Sequence, residues 1–555
     1  MHSTVTRTSV RAALGAVGMA AAVAFAPASA QTITTIQGGG ATLPSVTLGE
    51  LFACYSGTTP RPAVCTTAVN AAVRFTYNSV GSGAGQRGWA SQDPVRLGGS
   101  PLVTDVNFGV SEAALTSSQL NAFNAGGSFS STGPTAIANT SDNCVSPATG
   151  TGADVAASGG CYDNPRVENG PAIQIPLFGT PVTIAFDPVY KAVRNANGSV
   201  TEHRLNLRYP RADGSGGLRL TQALVCGIFS GTITQWNDAA LTAANGNRAL
   251  WPATTDTDTT GNVGREIRVV VRDDDSGTTS LFTRWARANC TQWASATPAI
   301  PATGSIQAFP GNPTPNSIST TDQLTVCDNN GNNTFAGLGS RIFYGRGNEG
   351  VAFCTNTPAP AATAGSVAVG GRIAYLSPDF ALPSVSNLPT GNAFRGFALM
   401  TADVQNAAAR FVAPTPASVT TALAAIAAPT GAAVSNPLAW VSSPDAIVGG
   451  APNPVTVPAG ATAYPIVGTT NWLGYTCYSS AAKQRAISQA RIGFLSWLYG
   501  NNAAVKTVIE SNGFALLPSP YRSAIVANFL TGTAGTNLQI RTRTASTAAL
   551  CTVGS

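Results

Sequence analysis

The stretch IRVVVRDDDSGTTSLFTRWA, residues 267–286, decides the fold class. Ile267–Val271 is an apolar run broken only by Arg268, the pattern of a buried strand. Leu281, Phe282, Trp285 and Ala286 fall on one face of a helix. Between them, Arg272 to Thr279 is a short loop of Asp, Ser, Gly and Thr. A buried strand, a tight loop and an amphipathic helix, in that order, are the building unit of an α/β protein with parallel sheets.

The same order recurs on either side. Thr32–Ile36 alternates like a first strand and runs into GGGATLP at 38–44. Pro44 fits the first turn of a helix, continued by Leu48, Leu51, Phe52 and Tyr55. Ala72–Tyr77 is a second strand leading into Gly81-Ser82-Gly83, and Val106–Val110 a third ending at Ser111-Glu112. Ile173–Phe186, apolar and punctuated by Pro, has the character of a strand crossing between domains. Leu218–Trp236 holds a helix ending near Ser230-Gly231. Ile466–Thr469 is strand-like, and Arg485–Tyr499 is an amphipathic helix (Ile487, Ala490, Phe494, Leu498) stopped by Gly500. Residues 117–170, with little periodicity, are expected to be a surface insertion clipped by Cys144 and Cys161. Residues 411–463 give no assignable pattern, and the polar tail 530–555 is expected as strand or coil held by Cys551.

A chain of 555 residues is too long for one ordinary core, so two or more domains are expected. The net charge is only +6 and the basic residues are scattered, which excludes the concentrated basic face of a nucleic-acid protein. Residues 1–30 have the layout of a signal peptide: Arg7 and Arg11, an apolar run Ala12 to Ala26, and Ala28-Ser29-Ala30 before the cut. Gln31 follows rather than Cys, so no lipid anchor is expected, and no later stretch could span a bilayer. The mature protein should therefore be soluble and either periplasmic or secreted. All ten cysteines lie beyond residue 30, an even count that implies disulfides in an exported chain. They fall in consecutive pairs, and nearest-neighbour pairing (54–65, 144–161, 226–290, 327–354, 477–551) is one hypothesis; order alone does not fix connectivity. No C-x-x-C spacing occurs, and His203 is the single histidine of the mature part, expected on a solvated surface. That rules out a His-rich metal centre and argues against a Ser-His-Asp hydrolase, and there is no G-x-S-x-G elbow.

The three Gly-Ser-Thr clusters, 38–44, 77–83 and 270–279, share a chemistry. Each lies where a strand meets a helix and offers backbone N–H groups and hydroxyls to an anion. The third adds the cation Arg272 and the carboxylate Asp274. In their order and spacing, they resemble the phosphate-binding proteins of bacterial phosphate import. So do Phe108-Gly109-Val110-Ser111-Glu112, Ile228–Asp238 and Leu517-Pro518. Gly277–Arg284, Tyr464-Pro465-Ile466-Val467-Gly468, and the placement of Cys226, Cys290, Cys477 and Cys551 resemble the DING branch of that family. The resemblance touches most of the mature chain, with insertions at 117–170 and 300–360. It departs where Thr35-Ile36-Gln37-Gly38 stands in place of the usual Asp-Ile-Asn-Gly.

The resemblance implies a two-lobed periplasmic-binding-protein-like α/β fold (type II) with disulfides and long loop insertions. Residues 31–182 and 464–555 would form lobe I, and 183–463 lobe II. It implies inorganic phosphate bound between the lobes, with Thr42 donating its hydroxyl and Leu43 its N–H. Ser82 would donate from the second loop, Arg272 would pair with phosphate oxygens, and Asp274 would orient Arg272. Ser276, the Gly277 N–H and Thr278 would cap the anion. Glu112 stands where the family usually has Asp. An ionised carboxylate only accepts hydrogen bonds, which hydrogen phosphate can give and sulfate cannot. The implied activity is binding without chemistry and without a cofactor, in a monomer delivering to an ABC-type permease or scavenging phosphate. The alternative is a secreted phosphatase (phosphomonoester hydrolase) of the DING type.

Overall fold

A computed structural model describes residues 33–91, 94–97, 106–115, 117–124, 128–129, 136–137, 170–252, 264–272, 274, 276–290, 342–381, 399–441, 458, 460–478 and 482–542. The expected signal peptide, most of the 117–170 insertion and residues 300–341 lie outside them.

The chain opens with β1 (Thr34–Gly40), α1 (Ser45–Ser56), β2 (Val73–Ser79), α2 (Ser82–Ser91), β3 (Phe108–Ser111) and α3 (Ser117–Asn124). It continues through β4 (Ala172–Pro181), β5 (Thr183–Phe186), β6 (Gly216–Leu220), α4 (Gln222–Ser230), β7 (Arg268–Arg272), α5 (Gly277–Asn289), β8 (Ile342–Gly345) and α6 (Gly347–Thr355). Then come β9 (Arg372–Leu376), β10 (Met400–Gln405), β11 (Phe411–Val412), α7 (Pro416–Leu423), β12 (Val467–Tyr475), α8 (Ala482–Tyr499), α9 (Ala503–Ser511) and α10 (Ser519–Ile525).

Two mixed sheets organise these elements as the two lobes of an α/β fold. One has the order β2-β1-β3-β12-β4, the other β6-β10-β5-β9-β7-β8 with β11 beside β10. The chain leaves the first sheet at Pro181 and enters the second at Thr183, with only Val182 between. It returns through Tyr464–Ile466 beside that crossing: Val182 N–H donates to Ile466 O (2.9 Å), and Tyr464 Oη donates to Val182 O (3.0 Å).

The expected parallel pairing is found for part of each sheet, and both sheets are mixed. β1 pairs parallel with β2 and β3, and β7 with β8 and β9. However, β12 is antiparallel to β3 and β4, and β5 to β9 and β10. The reason is topological. A strand that arrives directly from the other sheet must run away from the crossing, whereas a strand followed by a helix runs towards it. β5 and β12 are those arrivals.

Smaller corrections follow. Gly38–Gly40 belong to β1 rather than to a loop, because neighbouring strands leave no room for side chains. At Gly40 (φ 137°) a Cβ would strike the Val110 carbonyl. Pro44 caps α1 rather than starting it. Part of the supposedly aperiodic 117–170 stretch is α3. His203 is half-buried on the strand Val200–Arg204, its ring 6.0 Å from that of Tyr190. Residues 411–463 contain α7, opened by a capping box between Thr415 and Ser418.

In the first lobe, α1 and α8 pack aromatic faces on the sheet. Phe52 stacks on Phe75 at 4.5 Å, Phe108 on Trp472 at 4.0 Å, and Phe494 meets Phe75 at 4.9 Å. Burial of each such ring contributes about 2 kcal/mol. In the second lobe, Phe282 of α5 stacks on Tyr375 of β9 at 4.7 Å. Disulfides Cys54–Cys65 and Cys226–Cys290 follow the nearest-neighbour scheme. Cys354 and Cys477 are also disulfide-bonded, and their assigned partners, Cys327 and Cys551, lie outside the described residues with Cys144 and Cys161.

Candidate functional site

The carboxyl ends of β1, β2, β7 and β8 each run within six residues into a helix, and β3 ends beside them at Ser111-Glu112. This is where an α/β sheet places a ligand, because helix N-termini expose unpaired N–H groups there.

From the first lobe come Thr42, Leu43, Ser82 and Glu112. Thr42 and Leu43 sit in the turn before α1, with Thr42 buried at its side chain. The Leu43 carbonyl accepts from Ser377 Oγ of the second lobe (2.9 Å). Ser82 opens α2 and donates to Glu112 Oε2 at 3.0 Å. The loop presenting Glu112 is fixed by Gln86, whose Nε2 donates to Ala113 O (2.7 Å) and Ser111 Oγ (3.2 Å). Glu112 is 2 % exposed, and its Oε1 has no hydrogen-bond partner among the described residues. Burial raises this carboxyl to about 7, against the opposing pull of the Ser82 hydroxyl and of Arg272.

From the second lobe come Arg272, Asp274, Ser276, Gly277 and Thr278. Arg272 is 1 % exposed at the end of β7. Its Nε and Nη2 donate to Asp274 Oδ1 (2.7 Å) and Oδ2 (2.5 Å), a bidentate fork, and its Nη1 donates to Thr278 Oγ1 (3.1 Å). Burial works against both charges, but their pairing outweighs it: Arg272 is held above its ordinary value and Asp274 below. Asp274 Oδ1 also accepts from Gly347 N–H (3.1 Å). Ser276 caps α5, accepting from Thr279 N–H at 3.1 Å. Gly277 meets the first lobe directly. A Cβ on it would collide with Ser82 Oγ and Glu112 Oε2.

All nine residues singled out from the sequence thus lie along one seam between the lobes. The sequence reading missed the turn after β8. Asn348 there is fully buried and bonds to both Thr42 Oγ1 (2.9 Å from Nδ2) and Thr278 Oγ1 (3.3 Å). Glu349 accepts from Ser45 Oγ (3.4 Å) and Ser79 Oγ (3.3 Å), and burial raises its carboxyl. The available signal was the strand-then-glycine pattern Ile342-Phe343-Tyr344-Gly345-Arg346-Gly347, the same punctuation as in the other loops.

The arrangement offers one paired guanidinium, several hydroxyl and helix-start N–H donors, and one buried carboxyl with an open lone pair. No group of three or more metal-ligating side chains occurs among the described residues.

The chain as a whole is similar to known proteins. The PBP superfamily domain matches residues 26–502. Alkaline phosphatase L of Pseudomonas aeruginosa (strain UCBPP-PA14) is 26% identical over 508 residues, 91% of each chain. A phosphate-binding protein from an unknown prokaryotic organism is 27% identical over 321 residues, 58% of this chain and 69% of that protein. Among solved structures, a high-affinity periplasmic phosphate-binding protein (PfluDING) bound with phosphate at pH 8.5 superposes with a TM-score of 0.54. It shares 25% identity and covers 94% of this chain and 99% of its own.

Proposed function

The chain belongs to the PBP superfamily, and from that premise we propose that it is an extracytoplasmic receptor that binds inorganic phosphate between its two lobes. The observation that carries the reading is Glu112 Oε1, a buried acceptor without a partner among the described residues, beside Ser82 and Gly277 and on the same seam as the Arg272–Asp274 fork. Hydrogen phosphate brings the proton that this oxygen lacks; its other oxygens take the Arg272, Thr42, Thr278, Ser276, Leu43 and Gly277 donors. The similarity to phosphate-binding proteins supports the same ligand.

In this reading, residues 31–182 with 464–555 form one lobe and 183–463 the other, a division supported by which strands share a sheet. The protein works in the periplasm or outside the cell, as a monomer, and hands phosphate to an ABC-type permease or retains it as a scavenger. Two disulfides among the described residues support an oxidising compartment.

Calorimetry on ligand-stripped protein tests the site. Arg272→Ala and Thr278→Ala should each weaken phosphate binding by about tenfold to a hundredfold, the cost of one charged or buried hydrogen bond, without unfolding the chain. Unchanged affinity in both variants refutes it.

The relative named alkaline phosphatase L, which covers nine-tenths of the chain, favours one second reading, phosphomonoester hydrolysis at the same seam. Turnover of a chromogenic phosphate ester that disappears with Arg272→Ala would establish it; absence of turnover in a preparation that binds phosphate leaves the receptor.

A further inference from the structure

We propose that Asn348 is a positioning residue that turns two threonine hydroxyls into obligate donors towards the bound anion. The inference rests on the anion-site reading above and deepens it.

A threonine hydroxyl has one proton and two acceptor lone pairs, and in isolation it can present either to a ligand. At Thr42, both lone pairs are occupied. Asn348 N–H donates to Oγ1 at 3.0 Å, and Asn348 Nδ2 donates to it at 2.9 Å. At Thr278, Oγ1 accepts from Arg272 Nη1 at 3.1 Å and from Asn348 Nδ2 at 3.3 Å. Neither threonine has an acceptor for its own proton among the described residues. Each hydroxyl has therefore only a proton left to offer, and a site that can only give hydrogen bonds favours an oxyanion.

The amide cannot be turned the other way. Asn348 Oδ1 accepts from the Ser377 backbone N–H at 2.9 Å, and an N–H has nothing to accept with. The atom facing Ser377 must therefore be oxygen, which leaves both Nδ2 hydrogens for the two threonines. Asn348, Thr42 and Thr278 are all at most 3 % exposed, so water does not compete for these bonds. Thr42 follows β1 of the first lobe, whereas Asn348 and Thr278 belong to the second. The Thr278 hydroxyl is thus oriented within the second lobe, and the Thr42 hydroxyl only when the lobes meet.

A double-mutant cycle on the full mature chain, read by phosphate calorimetry, tests this. Asn348→Ala should raise the phosphate Kd about tenfold in otherwise unchanged protein, the worth of one or two buried hydrogen bonds. In the Thr42→Val/Thr278→Val background the same change should cost less than about twofold, because there is no hydroxyl left to orient. The melting temperature of each ligand-free variant is recorded alongside, and Asn348→Ser carries the same cycle should the alanine variant not fold. An equal penalty in both backgrounds, or no penalty in either, overturns the orienting role. If the parent protein does not bind phosphate at all, it is the anion-site reading that fails.

Discussion

Glu112 is pulled both ways by its surroundings, and the balance sets two pH effects. Burial disfavours its charge, while the Ser82 hydroxyl and the Arg272 guanidinium favour it, and the carboxyl comes to rest at about 7 instead of its ordinary 4.5. Because the folded value lies above the unfolded one, the stability that this group gives the closed arrangement is fullest below 4.5 and is lost as pH rises through about 7. The loss amounts to ~3 kcal/mol at most. Denaturant titrations across that window should show the decline in the parent and a flatter profile in Glu112→Gln. The second effect concerns selectivity. Ionised Glu112 can only accept and so rejects sulfate, whereas neutral Glu112 carries a proton and can donate to it. The preference for phosphate over sulfate should therefore narrow as pH falls from about 8.5 to about 5, and Glu112→Gln, which donates at every pH, should show a small preference throughout. A preference that is constant with pH in the parent would remove Glu112 from the recognition mechanism. At this scale the sequence was informative about types but not about partners. Arg272, Asp274 and Thr278 are close in sequence, so their grouping was legible. Asn348 lies 306 residues from Thr42, and only the folded chain brings its amide to that hydroxyl.

The strand–turn–helix units were the most readable elements, since each announces itself by a change of period, as at Arg268–Arg272 followed by Gly277–Asn289. The α4 helix ends at Gly231 in the left-handed region, as its sequence demands. What escaped was α7, where Ala and Thr give a weak apolar stripe and the start is marked by Thr415, Pro416 and Ser418 rather than by hydrophobic spacing. The direction of β12 escaped too, because a strand's sequence says how it is buried and not which way its neighbours run. The start of α5 supports a prediction of its own. Gly277 faces Ser82 and Glu112 across the seam, where a methyl group would overlap both. Ser276 would cap the helix as before, and Ser82 and Glu112 belong to the other lobe, so the overlap exists only when the lobes meet. Gly277→Ala should consequently leave the ligand-free melting temperature within about 2 °C while weakening phosphate binding at least about tenfold. Parental affinity in this variant would mean that the seam does not close on the ligand.

The whole molecule joins its two sheets through paired segments around Val182 and Ile466. That crossing, together with contacts as varied as Ser377 to Leu43, Asn348 to Thr42 and Ser45 to Glu349, gives the lobes a place to pivot and a set of bonds to make on meeting. These polar contacts are mostly neutral, each worth about 1 kcal/mol net at best. They do not by themselves hold two large lobes together in water, where the same groups find other partners. A ligand that bonds to Thr42 and Glu112 on one side and to Arg272 and Thr278 on the other adds several charge-assisted bonds that exist only in the closed arrangement, and so shifts the population towards it. Two measurements follow from one cause. Phosphate at about a hundredfold over its Kd should raise the melting temperature by about 2–3 °C, corresponding to ~2.7 kcal/mol of linkage. Solution scattering should show a smaller radius of gyration with phosphate than without. Gly277→Ala separates the two, since a protein barred from closing could still be stabilised by a weakly held anion at saturating concentration but should not contract. If the parent gains thermal stability with no contraction, the lobes are already closed without ligand, and the bonds across the seam are stronger than their chemistry implies.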